Sequence, residues 1–211
     1  MLNLRSKYVD VDTTKMATRD CRCAVHPLVS IAAIFFIWSL ASNCKKSKLA
    51  PPIDQIPAIT MEGKNTFGCL IDGEAFKPKG NFSVSSGHCF YQKIYSSDVG
   101  YSFVVNAYRD GPNCTGKQVS LNVDSLKLEH GKTYQLGAVK TGDSYGKHFW
   151  SKNCSQIVFY ETTEMIGGEL KIIFLDTINQ IVSGTFWFDA LAPDGDTVHI
   201  REGRFDREYS Q

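Results

Sequence analysis

With 211 residues, 23 Lys+Arg against 22 Asp+Glu and a formal net charge of +1, the chain has room for one domain with appendages. It carries no field that would draw in nucleic acid. A hydrophobic content of 43% with 13 Phe, 9 Tyr and 3 Trp excludes a disordered chain and points to a folded, β-rich core.

The first element is membrane-directed. No residue from Pro27 to Ser42 is charged, and Leu28 to Leu40 is apolar apart from Ser30 and Ser39. That apolar core of about 13 residues suits a signal peptide and falls short of the roughly 20 needed to span a bilayer. Arg19 and Arg22 supply the basic flank, and Met16 would give a signal of ordinary length, which leaves residues 1–15 upstream of the expected start. Uncut, the same segment would be a signal anchor.

Directly after it stands Leu40-Ala41-Ser42-Asn43-Cys44-Lys45-Lys46. This resembles a bacterial lipoprotein signal, in which small residues precede a Cys that is acylated and becomes residue one. The departures are Leu four residues before the Cys and Asn43 beside it. The Cys-Lys-Lys context is similar to that of Bacteroidetes-type lipoproteins, and the resemblance implies an outer-membrane lipoprotein joined to the membrane through Cys44. Surface-exported members carry an acidic patch after that Cys. Lys45, Lys46 and Lys48 stand there instead, which implies a periplasm-facing protein in the cell envelope. Residues 47–64, with Pro51, Pro52 and Pro57 and no apolar periodicity, read as an extended spacer. The expected organisation is therefore a signal over 1–43, a lipid-anchored tether over 44–64 and a domain over 65–211.

From Thr66 onward, period-two alternation broken by Gly, Pro, Asn and Asp clusters predicts strands over 66–71, 74–77, 89–95, 100–108, 117–123, 133–139, 155–162, 168–175, 180–190 and 196–205. Asp72-Gly73 and Pro193-Asp194-Gly195-Asp196 are tight-turn signals. The stretches 110–113 and 142–146 read as longer loops. Leu170, Ile172 and Phe174 are expected on one core-facing side, and so are Val182, Gly184, Phe186, Phe188 and Ala190. About ten short strands make an all-β fold, either an antiparallel β-sandwich or a closed up-and-down barrel.

Of 7 Cys, four belong to the expected domain: Cys69, Cys89, Cys114 and Cys154. Each stands alone, without a Cys-x-x-Cys pair, so disulfides or buried thiols are expected rather than zinc or redox chemistry. Cys114 and Cys154, each after an Asn in a turn-like stretch, are the preferred pair; Cys69 with Cys89 would make a second.

Two stretches frame the domain: residues 63–73, with Phe67-Gly68-Cys69 and Asp72-Gly73, and Ile181-Val182-Ser183-Gly184-Thr185-Phe186-Trp187-Phe188 with Gly203-Arg204-Phe205-Asp206. Together they resemble an uncharacterised family of Bacteroidetes lipoproteins, a domain of unknown function. The resemblance implies an address and an all-β domain and carries no mechanism.

His88, His130, His148 and His199 form no metal-binding spacing. Asp194/Asp196 and Glu202/Asp206 are acid pairs of the kind that flank a glycosidic bond, and also ordinary turn acids or partners of Arg201, Arg204 and Arg207. Ser85-Ser86-Gly87-His88-Cys89 gathers hydroxyls, imidazole and thiol without a Gly-x-Ser-x-Gly elbow. No cofactor or metal is expected. The more open prospect is binding: Tyr145, Phe149 and Trp150 in a 141–154 loop, with Trp187 on an outer sheet face, offer surface for sugar rings or a protein partner, or else cap the core. The leading expectation is an envelope-anchored binding or accessory structural module. The alternatives are a hydrolase acting on glycans or lipids and a lipocalin-like carrier of an apolar ligand.

Overall fold

The computed structural model describes residues 50–78, 86–94, 100–140 and 142–211. The expected signal segment and Cys44 lie outside these residues. The described residues form eleven strands: β1 Thr66–Ile71, β2 Glu74–Phe76, β3 Cys89–Ile94, β4 Gly100–Asp110, β5 Gly116–Asp124, β6 Thr133–Leu136, β7 Ser144–Asn153, β8 Gln156–Glu161, β9 Gly168–Asp176, β10 Ile181–Leu191 and β11 Thr197–Glu208. They pair antiparallel in the order β2-β1-β11-β10-β8-β7-β5-β4-β3, with β9 also on β10 and β6 on β9.

The fold is all-β and sandwich-like. β8 meets β10 only where Leu191 faces Glu161, so the sheet folds over there into two layers, β3-β4-β5-β7-β8 and β6-β9-β10-β11-β1-β2. The ladder is not closed into a barrel: edge strand β3 meets the chain end through one isolated parallel bridge, Phe90 to Ser210. Alternation turns Phe103, Val105, Val119 and Leu121 from one layer toward Leu170, Ile172, Phe188 and Ile200 from the other, all fully buried. Rings meet across the gap, as in Phe103 and Phe205 with centroids 6.2 Å apart.

Turn chemistry places the first hairpin as expected. Asp72 (φ 50°) and Gly73 (φ 82°) both take the left-handed conformation that a two-residue turn between twisted strands requires.

Two elements differ from the sequence reading. The stretch 144–153, expected as loop, is the long strand β7. Ser144, Gly146 and His148 among its inward positions do not register as apolar. Gly146 is small because the Phe188 ring lies where a side chain would go, 3.0 Å from a Cβ built there. On β9 the alternation breaks after Ile172: Gly184 pairs with Ile172 but Ser183 with Phe174. The extra residue, Ile173, is a bulge that reverses the faces. Leu175 thus packs against the core, and Phe174 lies edge-on to His130 at 6.3 Å.

The described part of the expected tether, residues 50–64, is laid against the domain rather than extended from it. A short 3-10 helix, Pro52–Gln55, opens it. Ile56 is buried, and Gly68 on β1 has no room for a side chain because Pro57 lies 2.5 Å from its would-be Cβ. The carboxylate of Asp206 then accepts hydrogen bonds from Thr60 Oγ1 (2.6 Å), the backbone N–H groups of Glu62, Gly63 and Lys64 (3.0, 2.9 and 3.1 Å) and Ser183 Oγ (2.7 Å). Sequence reasoning missed this strap because its fastening depends on one buried acid some 140 residues away.

Candidate functional site

The outward faces of β5, β7 and β8 bring side chains into rows set by register. Gln118 faces Phe149, which faces Phe159; Ser120 faces Lys147, which faces Glu161; Asn122 faces Tyr145. Cβ atoms directly opposite on antiparallel strands stand about 5 Å apart, so each row is a contact line. The rings of Phe149 and Phe159 have centroids 5.4 Å apart, and Tyr108 on β4 extends the row at 6.3 Å from Phe149.

These rows line a hollow of about 360 Å³. Phe159 is its most open wall, 59% exposed. Ser120 and Asn122 are mostly covered by their neighbours, and Asn122 Nδ2 donates to Ser120 Oγ at 3.2 Å. Lys147 is neutralised by Glu161 at 2.9 Å and lies 5.1 Å from the centre of the Tyr145 ring. Burial pushes the Tyr145 phenol up, and the neighbouring Asp124 carboxylate adds to the shift, so Tyr145 stays a neutral donor. A second hollow of about 490 Å³ shares Phe159 and Glu161 with the first, so these two side chains border both. Aromatic faces, amide and hydroxyl groups and a self-neutralised ion pair can stack on, and hydrogen-bond to, a polar ring without net charge.

Of the four aromatics expected on one surface, only Tyr145 and Phe149 meet. Trp150 points inward beside Val158 and packs against the core, with the Lys117 and Lys152 ammonium groups 5.5 and 4.6 Å from its ring. Strand alternation causes the separation: neighbours on β7 face opposite sides. Trp187 lies on the outer face of the other layer, 42% exposed. Sequence reasoning missed Phe159. On β8, Ile157 and Phe159 alternate with Val158 and Tyr160, both sets are apolar, and period two alone cannot choose the outward pair.

Trp187 floors a groove of about 410 Å³ that includes Ile59, Lys171, Arg201 and Arg204. The Arg201 guanidinium lies 5.5 Å from the indole centroid. It is locked by Asp189 at 2.7 Å and by the carbonyl oxygens of Phe188 and Ile200. Asp189 also accepts from His199 Nδ1 at 2.6 Å.

The other sequence candidates are engaged structurally. Asp206 is buried and saturated by the strap, so Glu202/Asp206 is no catalytic pair. Burial pushes the Asp206 carboxyl up, but hydrogen bonds from Thr60, Ser183 and the strap outweigh it and leave it below the usual carboxylate range. Asp196 accepts from Tyr160 OH at 2.9 Å, and Asp194 accepts from Asp196 N–H within their turn. His148 is buried, donates from Nδ1 to the Gln118 carbonyl at 2.8 Å and is pushed down to about 4 by burial. His88 contacts Asn106. No group of three His, Cys, Asp or Glu among the described residues is placed to hold a metal.

Cys114 and Cys154 form a disulfide, Cα atoms 4.9 Å apart, that ties the β4–β5 loop to the β7–β8 turn. Cys69 and Cys89 are not bonded, in contrast to the second bridge considered from sequence; both are buried thiols. Burial pushes Cys89 up to about 12, which removes it as a nucleophile.

Comparison with protein-family models, curated proteins and solved structures finds no match to this chain.

Proposed function

We propose that this chain is a lipid-anchored protein of the bacterial cell envelope, held through Cys44 in the outer membrane facing the periplasm, whose domain binds a glycan on the outer face of β5, β7 and β8. The observation that carries the reading is the aromatic row Tyr108–Phe149–Phe159 beside the amide and hydroxyl groups of Gln118, Ser120 and Asn122. Sugar rings offer apolar C–H faces to aromatic rings and hydroxyls to amides, and both partners are present within one hollow. The Lys147–Glu161 pair leaves that hollow without net charge, which favours neutral sugars over acidic ones. The Cys114–Cys154 disulfide suits an oxidising compartment outside the cytoplasm and supports the address.

Affinity electrophoresis in gels carrying soluble xylan, β-glucan or glycol chitin tests the reading. Retardation by at least one neutral polymer, relieved in Phe159→Ala, is the expected result. Equal mobility in every gel would overturn it.

A further inference from the structure

The strap and the Trp187 groove form a continuous surface. Arg204 donates to the Ile53 carbonyl oxygen at 3.4 Å. Ile59, further along the strap, lines the same groove as Trp187, Arg204 and Lys171. Ile59 is 52% exposed and Met61, two residues on, 50%. Large aliphatic side chains on a short segment fastened by Asp206 are held outward, not left loose.

The chain leading to this surface is short. Only residues 45–49 separate Cys44 from Ala50. Six Cα steps span at most about 20 Å, whereas a domain of this size is about 40 Å across. An acylated Cys44 therefore keeps Ala50, at the start of the strap, within about 20 Å of the membrane, which favours the strap side over the far side of the domain as the one turned toward it. An exposed Trp with neighbouring Arg, Lys and aliphatic side chains has the composition of residues that settle at a bilayer's polar–apolar boundary. The indole and alkyl stems enter the boundary while the charged heads stay wet. Lys171, Arg201 and Arg204 are offset by Glu169, Asp189 and Glu202 around the same groove, which suits zwitterionic headgroups.

We infer that the face made by Ile53, Ile59, Met61 and Trp187 rests on the lipid bilayer that holds the protein's own anchor. This rests on the reading of Cys44 as the acylated residue. The face lies on the layer opposite the Phe149–Phe159 hollow, which leaves that hollow open to the periplasm.

The test uses the full-length protein, expressed with an alkyne palmitate analogue and reconstituted in phosphatidylethanolamine vesicles containing a minor share of phosphatidylglycerol. Part of the lipid is brominated near the headgroup end of its chains. The expected result is label on the parent and none on Cys44→Ala, with a lipid-quenched tryptophan emission that disappears in Trp187→Phe. Ile59→Glu with Met61→Glu, both at exposed positions, should keep the label and lose most of the quenching. Labelled protein whose quenching is the same with and without Trp187 would overturn the membrane-resting face and leave the lipoprotein reading intact. Equal label on parent and Cys44→Ala would overturn the lipoprotein reading, and the inference with it.

Discussion

Phe149 on β7 and Phe159 on β8 face each other across neighbouring strands on the outside of the sandwich, ring centroids 5.4 Å apart. Other ring pairs, such as Phe103 with Phe205 and Phe67 with Phe186, are buried in the core. This one borders a hollow with Ser120 and Asn122 at its side, and a ring as open as Phe159 contributes little to folding. Phe159→Ala is therefore expected to shift the melting temperature by no more than about 2 °C, within what a surface substitution of roughly 0.5 kcal/mol does. Thermal denaturation checks this.

Asp206 fastens the strap with five accepted hydrogen bonds. Removing it leaves buried donors without acceptors, so Asp206→Ala should cost about 2–4 kcal/mol in urea denaturation. The carboxyl is lower in the folded protein than its ordinary value. Its contribution is thus complete above the usual carboxylate range and is lost as pH falls through the lowered pKa. In Asp206→Asn that acid-side loss should shrink.

His148 acts in a different pH window. Burial pushes the imidazole from its ordinary value of about 6.5 down to about 4 in the folded protein, so the unfolded chain takes up the proton first. Stability is full above pH 6.5 and declines as pH falls from there toward 4. His148→Gln should flatten that decline in denaturation midpoints measured between these two values. An unchanged slope would remove His148 as its source.

The disulfide between Cys114 and Cys154 closes a loop with a sequence separation of 40. Loop-closure entropy puts its contribution at about 3–4 kcal/mol. The double variant Cys114→Ser, Cys154→Ser should unfold at correspondingly lower urea, and dithiothreitol should destabilise the parent but not the variant.

Much of the fold is legible in the sequence because alternation and turns agree with each other. Asp72-Gly73 marks a hairpin, and Val182, Phe186, Phe188, Val198 and Ile200 all face the core. The exceptions have local causes. β7 is hidden because its inner face must be small at Gly146 to admit Phe188. The bulge at Ile173 leaves no compositional trace. The Phe149–Phe159 hollow is half legible: Tyr145 and Phe149 stand out as aromatics, but Phe159 is indistinguishable from its inward neighbours on β8. Trp150 is drawn to the core and Trp187 to the other layer by strand parity and topology, neither of which residue type reveals.

Glycan binding on the β5–β7–β8 face is decided by calorimetric titration of the parent, Phe149→Ala, Phe159→Ala and Trp187→Phe with the neutral oligosaccharide whose polymer retards the parent most. At least about tenfold weaker binding, roughly 1.4 kcal/mol, is expected for each Phe variant, with unchanged binding for Trp187→Phe. Equal affinity in both Phe variants and the parent, or a loss confined to Trp187→Phe, would contradict it.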